Sequence, residues 1–316
     1  MPPLRIVFMG TAALACPALA ALTRTPTFQV SGVVTQPDRP KGRDLRPHPS
    51  PVKLLGASLH LPVLQPERAR DESFIQELRQ LAPDLIVVVA YGQILPGAIL
   101  ELPRHGCLNI HASLLPKYRG AAPIQWAILN DESETGVTIM KMDEGLDTGG
   151  ILGAETTAIG PEDNSQTVHD RLAAIGAELL LKTIPEYASG RITPRPQPAT
   201  GATYARKITR EDGRLDWNQP SRALWNRVRA FVPWPGAFTF FPISPRVTLL
   251  KVWRAEPIEA PAARTGEVLD AGKNGIVVGC GQGALRILSL QREGGKQLNA
   301  AEFLTGHPLK AGDRLE

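Results

Sequence analysis

The chain has 316 residues, of which 43% are apolar and 21% are charged, as in an ordinary soluble globular protein. This length predicts about two domains, and the lack of 18 uninterrupted apolar residues argues against a membrane span. The three cysteines, Cys16, Cys107 and Cys280, are odd in number and far apart. They argue against a disulfide framework or a CxxC metal site and favour a reducing compartment.

Charge is unevenly distributed along the chain. Residues 1–185 carry 16 Lys+Arg and 19 Asp+Glu, a net charge of −3, whereas residues 186–316 carry 19 and 12, a net charge of +7. A basic half of this kind indicates either a polyanionic partner or ordinary surface charge, and charge alone leaves both open.

Strand-like and helical segments alternate in the first half. We interpret the opening run as a buried strand and not a signal peptide, because Gly10 and Thr11 interrupt a short apolar stretch. A run of consecutive branched residues, as at 84–90, suits a strand that is buried on both faces of a parallel sheet. This alternation predicts a doubly wound, Rossmann-like α/β domain. The predicted strands are Leu4–Met9, Val30–Thr35, Asp84–Ala90, Cys107–His111 and Val137–Met140, and the helices are Ala13–Leu22, Ser73–Leu81 and Gln166–Tyr187.

The composition changes near residue 189, where a Pro- and Thr-rich stretch is typical of an extended linker. After it come a predicted helix and short strand-like segments separated by Gly, Asn and Pro, a pattern that favours a small β-barrel. These segments are Ser221–Ala230, then Val247–Trp253, Gly266–Asp270, Gly275–Gly279 and Ala284–Leu290. We therefore divide the chain into an N-terminal α/β domain at 1–188, a linker at 189–207 and a C-terminal domain at 208–316.

The tract at residues 106–128 is the most informative. In an extended strand alternate side chains share a face, so Asn109 and His111 are expected to point the same way, at the end of a strand where α/β sheets build their sites. The alternative is a buried Asn and His satisfied by backbone hydrogen bonds. A metal site shared by His105 and His111 is improbable, because six extended residues span about 20 Å.

A second tract, at residues 135–152, runs from a predicted strand into an acidic, Gly-rich turn. Its glycines allow close backbone approach to a ligand, and Asp147 supplies a carboxylate at a loop tip. An Asx-type turn without a function would have the same sequence. Gly10 and Thr11 follow the first strand, but the GxGxxG and GK[ST] fingerprints of nucleotide sites are missing.

Three ordered blocks resemble the signature of the 10-formyltetrahydrofolate-dependent formyltransferases. They are NIHASLLP at 109–116, RGAAP at 119–123 and GLDTG at 145–149. The resemblance implies that Asn109, His111 and Asp147 are the catalytic residues. It also implies a folate-binding segment made of Ser113, Leu114, Leu115 and Pro116.

The resemblance extends to the members of this family that formylate methionyl-tRNA, through residues 33–43, 49–53, 88–96, 203–208 and 225–238. It implies that the Pro-rich loop at 36–53 inserts towards the tRNA acceptor end and that an OB-like C-terminal barrel contacts the acceptor arm. Candidate tRNA contacts are Arg43, Arg46, Arg206 and Lys207, each of which could instead be an ordinary surface cation. The sequence departs from the family at residues 9–17, which lack one Pro and one Phe, and after Arg43, where Asp44 and Leu45 make the loop less basic.

The implied activity is transfer of a formyl group from 10-formyltetrahydrofolate to initiator methionyl-tRNA, in cytoplasmic translation initiation. Asn109 and a protonated His111 are expected to stabilise the oxyanion, while Asp147 orients the imidazole and helps to move a proton. We expect no metal, no membrane and, since no coiled-coil pattern is visible, a monomer.

Several alternatives remain open at this point. A sugar-nucleotide N-formyltransferase or a formyltetrahydrofolate hydrolase would keep the same three residues, although neither needs a basic domain. A non-catalytic RNA-binding protein on this scaffold is disfavoured by the intact trio. A nucleotide-dependent oxidoreductase is disfavoured by the missing glycine fingerprint.

Overall fold

The computed structural model describes residues 2–41, 46–243 and 246–316. It describes the side chains of these residues except those within 41–46 and 242–247. The chain forms two compact units. The first unit comprises residues 1–123, 134–158 and 169–205, and the second comprises residues 124–133, 159–168 and 206–316. The Pro-rich stretch after residue 188 therefore lies largely within the first unit. The sequence-based boundaries at 188 and 208 stay a prediction.

The first unit is built on short strands alternating with helices. Its strands are β1 (Leu4–Gly10), β2 (Phe28–Val34), β3 (Arg39–Lys41), β4 (Arg46–His48), β5 (Val63–Leu64), β6 (Leu85–Val89), β7 (Cys107–His111), β8 (Arg119–Gly120), β9 (Glu134–Lys141), β10 (Gly150–Ala158) and β11 (Tyr204–Ala205). Its helices are α1 (Cys16–Arg24), α2 (Pro51–Ser58), α3 (Glu72–Leu81), α4 (Gly97–Leu100) and most of α6 (Ser165–Ala188). Helix α5 (Pro123–Leu129) and the first residues of α6 belong to the second unit.

A seven-stranded sheet with the order β10-β9-β7-β6-β1-β2-β5 forms the centre of this unit. Strands β7, β6, β1, β2 and β5 are parallel, and β9 and β10 are antiparallel to their neighbours. All five residues of β6 are buried, as the run of branched side chains predicts. The parallel strands share their carboxyl ends at one edge, where doubly wound sheets bind ligands.

Helices cover this sheet through apolar faces. Helix α3 buries Phe74, Ile75 and Leu78, which recur at helical spacing and join a core with residues of β1 and β6. Gly176 of α6 faces Ile110 of β7, and a Cβ there would lie 2.8 Å from the Ile110 Cγ2 atom. The missing side chain thus lets α6 approach β7 closely, which fixes the strand that carries Asn109 and His111.

The second unit is dominated by antiparallel strands. Its elements are α7 (Ser221–Ala230), β12 (Ala237–Ile243), β13 (Arg246–Ile258), β14 (Val268–Gly272), β15 (Gly275–Gly279), β16 (Ala284–Arg292), β17 (Gln297–Asn299) and α8 (Ala300–Gly306). The sheet order is β12-β13-β16-β15-β14, with β17 paired to β16. Leu224, Trp225 and Val228 of α7 belong to a core that includes residues of all these strands but β17. Helix α8 begins with a capping box between Asn299 and Glu302.

The predicted fold class is confirmed, because a parallel-dominated, Rossmann-like sheet is followed by a separate antiparallel, OB-like β unit. The predicted strands and helices are all present. Those that were not predicted are β3, β4, β5, β8, β10, β11, β12, β17, α2, α4, α5 and α8. Within the ranges described above, no helix combines the length and apolar character needed to cross a membrane.

Candidate active site

Strand β7 presents two polar side chains in an otherwise apolar run. Asn109 is 9% exposed and His111 is 5% exposed. Asn109 lies between Val88 of β6 and Met140 of β9. Hydrogen-bonded strands on both sides fix the backbone of β7 at the carboxyl end of the parallel sheet. Both side chains approach Asp147, so they point the same way, as strand alternation predicts.

The orientation of the His111 ring is fixed by a backbone contact. Its Nε2 atom lies 2.9 Å from the Tyr118 carbonyl oxygen. A carbonyl can only accept, so Nε2 carries a hydrogen and donates it. Tyr118 itself has a φ of +60°, a left-handed conformation that turns this carbonyl. The second ring nitrogen, Nδ1, is not engaged by this carbonyl and faces Asp147.

Asp147 reaches the site from the turn between β9 and β10. Its Oδ2 atom accepts a 2.8 Å hydrogen bond from the Gly120 amide and lies 3.6 Å from His111 Nδ1. Its Oδ1 atom lies 3.5 Å from Asn109 Nδ2. The last two distances exceed ordinary hydrogen-bond lengths, so the three side chains converge without saturating one another. Residues 38 positions apart thus form one polar cluster.

The turn that carries Asp147 is tightly built. The Asp143 carboxylate accepts from the Gly145 amide at 3.1 Å and from the Thr148 hydroxyl at 2.6 Å. Asp147 has a φ of +52°, which is costly for a residue with a side chain. A Cβ on Gly149 would lie 1.9 Å from the Lys141 carbonyl oxygen, so only glycine fits there. The Asx-type turn expected from the sequence is present, and it positions a carboxylate in the cluster.

The predicted folate segment follows β7 directly. Ser113 is fully buried, and its hydroxyl donates to the Lys117 carbonyl at 2.6 Å. Thr138 of β9 donates to the Ser113 carbonyl at 2.7 Å and accepts from the Leu115 amide at 3.1 Å. Leu114 and Pro116 are partly exposed. The segment is therefore held by its backbone, and its apolar side chains are the part that can meet a ligand.

The candidate tRNA contacts are not in this cluster. Arg43 lies outside the described residues, and Arg46 begins β4 with a side chain that also lies outside them. Arg206 forms a two-pronged ion pair with Asp212, and its guanidinium lies 5.2 Å from the centre of the Trp126 ring. Lys207 is exposed. Their roles stay predictions.

Sequence analysis missed Gln197, which lies in the stretch interpreted as a linker. Its side-chain amide donates to the Asp147 carbonyl at 2.7 Å and to the Gly149 carbonyl at 2.9 Å. Its oxygen accepts from Nε and Nη2 of Arg119 at 3.1 and 2.6 Å. The RGAAP block supplied Arg119 and Gly120, but nothing in the local pattern connects them to residue 197.

The thiols near the cluster offer no nucleophile. Burial raises the pKa of Cys107, two residues before Asn109, to about 12, so its thiol stays protonated. In the described part of the chain, no group of three or more His, Cys, Asp or Glu side chains could hold a metal ion. The arrangement thus offers donors from Asn109 and His111 and a carboxylate that can accept a proton. That combination suits addition of an external nucleophile to a carbonyl group.

Comparisons with known proteins agree with this chemistry. The family model described as "Formyl transferase" matches residues 4–184, and "Formyl transferase, C-terminal domain" matches residues 207–308. The chain is 48% identical over 315 residues to a methionyl-tRNA formyltransferase of Citrifermentans bemidjiense, covering 100% of this chain and 97% of that protein. It is 50% identical over 310 residues to that of Myxococcus xanthus, covering 98% and 97%.

The fold is also found among solved structures. HypX from Aquifex aeolicus in complex with tetrahydrofolic acid has a TM-score of 0.62 at 19% identity, covering 99% of this chain and 50% of that one. At this identity the likeness concerns the fold alone. The sequence matches are decisive, since they span both units, and the chain belongs to the formyl transferase family.

Proposed function

We propose that this chain transfers the formyl group of 10-formyltetrahydrofolate to the α-amino group of initiator methionyl-tRNA. The observation that carries this proposal is the convergence of Asn109, His111 and Asp147 at the carboxyl end of the sheet. Full-length similarity to methionyl-tRNA formyltransferases supports the choice of tRNA as acceptor.

The reaction needs no nucleophile from the protein. Free α-amino groups have a pKa of about 7.7–8.0, so a fraction of the methionyl ester is neutral near pH 7, and this neutral amine attacks the formyl carbon directly. A carbon–nitrogen bond to the amine forms, the bond from the formyl carbon to N10 of the folate breaks, and the proton lost by the amine goes to N10. The chain therefore has to stabilise the negative charge on the formyl oxygen and to carry one proton.

Asn109 and His111 supply the oxyanion donors. The Asn109 amide donates through Nδ2, and protonated His111 donates through Nδ1, because its Nε2 is already engaged by the Tyr118 carbonyl. Asp147 lies 3.6 Å from Nδ1, so its charge stabilises the imidazolium, and its carboxylate can take the proton from the amine. Removing one oxyanion donor typically costs 10²–10³ in kcat.

Ser113, Leu114, Leu115 and Pro116 form one wall of the proposed folate site. The fixed backbone of this segment follows the catalytic strand, and its partly exposed side chains, Leu114 and Pro116, offer apolar contact to an aromatic ring. Backbone fixation by Thr138 reduces the entropy lost when the donor binds. The donor would thereby be held beside Asn109.

The basic second half of the chain is the proposed tRNA dock. We assign residues 1–188 to catalysis, 189–207 to the connection and 208–316 to tRNA binding. Further proposed contacts lie outside that last range, namely Arg43 and Arg46 in the first and Arg206 and Lys207 in the connection. Binding through phosphates releases counterions, so the affinity should fall steeply with salt. Cytoplasmic translation initiation by a monomer is the corresponding setting.

Sugar-nucleotide formylation and folate hydrolysis are not favoured. Both reactions could use the same trio, but neither explains similarity to tRNA-specific enzymes along the whole chain. The catalytic cluster by itself would not separate these activities. The choice therefore depends on the acceptor.

The test offers the purified chain three acceptors in parallel, with 10-formyltetrahydrofolate as donor. Charged initiator methionyl-tRNA, charged elongator methionyl-tRNA and a UDP-amino-sugar are compared by the rate of product formation. We expect rapid formylation of the initiator only. Formylation of the sugar alone, or release of formate without any acceptor, would overturn the tRNA assignment and keep the formyl-transfer chemistry.

A further inference from the structure

The stretch at residues 191–205, here called the return segment, lies along the catalytic loops of the first unit. Its Arg195 exchanges two backbone hydrogen bonds with Ile151 of β10, at 2.7 and 2.9 Å. Its end forms β11, which pairs in parallel with β8. The segment therefore contacts both loops that contribute to the cluster, the one after β7 and the one before β10.

Gln197 connects these two loops through a single side chain. Its nitrogen donates to the carbonyls of Asp147 and Gly149, and its oxygen accepts two hydrogen bonds from Arg119. Arg119 directly precedes Gly120, whose amide binds the Asp147 carboxylate. Asp147 is thus held at both ends, by its carbonyl through Gln197 and by its carboxylate through Gly120.

The end of the return segment secures the loop after β7. The Thr203 hydroxyl accepts from the Tyr118 amide at 2.8 Å, and its carbonyl accepts from the Arg119 amide at 2.9 Å. Tyr118 provides the carbonyl that holds His111 Nε2. His111 and Asp147 are therefore both supported by one segment, whose Gln197 lies 50 residues from Asp147 in sequence.

We propose that Gln197 is a positioning residue for formyl transfer, acting by holding Asp147 against His111 and Asn109. This inference rests on the proposed function and adds a residue to it. Asp147 has a left-handed φ of +52°, a conformation that persists only while its surroundings impose it. Two donated hydrogen bonds to the carbonyls on either side of Thr148 impose it here.

Only an amide satisfies both requirements at this position. Glutamate can accept from Arg119, but its carboxylate cannot donate to the Asp147 and Gly149 carbonyls. Alanine does neither. Comparing Gln197→Glu with Gln197→Ala therefore separates the donated hydrogen bonds from the pairing with Arg119. Thr193→Ala, at an exposed position of the same segment, is the matched control.

The first readout is steady-state formyl transfer. We expect kcat to fall roughly 10²-fold in both Gln197 variants, the loss typical of a misplaced catalytic group, with the KM values for donor and tRNA changed only a few-fold. Thr193→Ala should match the wild type. A wild-type kcat in either Gln197 variant would overturn the inference.

The second readout does not depend on activity. Amide hydrogen exchange at Gly120 reports its hydrogen bond to Asp147. We expect Gln197→Ala and Gln197→Glu to lose protection at Gly120 while amides of β6 stay protected. Unchanged exchange at Gly120 would show that Gln197 does not hold Asp147. A wild-type chain that transfers no formyl group would instead refute the proposed function, and Gly120 exchange would still decide the positioning role.

Discussion

Two carboxylates, one in each unit, meet nitrogen-bearing side chains in opposite ways. Asp212 in the second unit accepts from both ends of the Arg206 guanidinium and from the amide and hydroxyl of Thr209. Asp147 in the first unit accepts one short hydrogen bond, from Gly120, and faces His111 at 3.6 Å. The Asp212 carboxylate is therefore fully occupied by hydrogen bonds, and we call its pair with Arg206 closed. Asp147 and His111 keep a free acceptor oxygen and a ring nitrogen that a reacting group can use.

This difference separates a structural ion pair from a chemical one. A saturated carboxylate has no lone pair to offer, whereas an open one can take a proton. Arg206 is engaged by Asp212, so tRNA phosphate would have to share the same guanidinium. Of the two candidate tRNA contacts whose side chains the structure describes, Arg206 and Lys207, the exposed Lys207 is therefore more available to a phosphate. The comparison can be tested from both sides.

Removal of the His111 imidazole should have the largest effect. We expect His111→Ala to lower kcat by roughly 10²–10⁴, as for loss of an acid–base group, because no other donor replaces Nδ1. Single-turnover formylation of initiator methionyl-tRNA measures it. His169→Ala, which removes a histidine paired with Asp170 on α6, is the control and should keep full activity. Near-wild-type turnover by His111→Ala would eliminate its assigned role.

Removal of the Asn109 amide should have a somewhat smaller effect. One lost oxyanion donor predicts a kcat reduction of about 10²–10³ with donor affinity nearly unchanged. Two measurements separate donor affinity from kcat: equilibrium binding of a non-hydrolysable folate, and the rate of formyl transfer. If affinity falls and kcat does not, Asn109 binds the ground state and does not stabilise the transition state.

A side chain at Gly120 should displace Asp147 without touching the reacting groups. Gly120 has a φ of +113°, and a Cβ there would lie 2.7 Å from the Ala205 carbonyl oxygen. We expect Gly120→Ala to lower the free energy of unfolding by about 1–3 kcal/mol and kcat by roughly 10-fold or more. Gly190→Ala is the control, because its φ is +76° with nothing within 4 Å. Equal kcat in the two variants would mean that Gly120 matters only for stability.

Breaking the Arg206–Asp212 pair should have the smallest effect, a modest loss of stability. Hydrogen bonds from Arg206 hold the pKa of Asp212 well below its ordinary value of 3.8. A depressed pKa stabilises the folded state above the unfolded pKa, and this contribution is lost as the pH falls towards the folded pKa. We expect Asp212→Asn to cost about 1 kcal/mol at pH 7, and the difference from the wild type to shrink below pH 3.8.

Denaturant unfolding at several pH values checks this, with Asp270→Asn as the control for an exposed carboxylate. The two variants should differ at pH 7 and converge in acid. A pH-independent loss in Asp212→Asn would show that the amide disrupts packing and that the ion pair contributes little. At saturating tRNA, kcat should stay at the wild-type level in both, because neither residue belongs to the catalytic cluster.

Site residues that share a strand could be predicted from the sequence, whereas those joined by long-range hydrogen bonds could not. Asn109 and His111 share a strand, so alternation alone placed them on one face, and the alternative of a His satisfied by backbone contacts proved compatible with a site. Asp147 was recognised through the resemblance and not from spacing. Gln197 escaped notice because a Pro-rich composition is typical of a linker, whereas its partners lie 48 to 78 residues away.

By itself, the sequence determined the elements whose side chains repeat with a regular period, together with the order of parallel sheet and antiparallel unit. Periodicity is a local property, written in neighbouring residues by the geometry of strand and helix. Only the tertiary structure decided which ring nitrogen of His111 faces the site, how far it lies from Asp147 and which segment holds both loops. Those features depend on single hydrogen bonds between residues distant in sequence, and no local repeat encodes them.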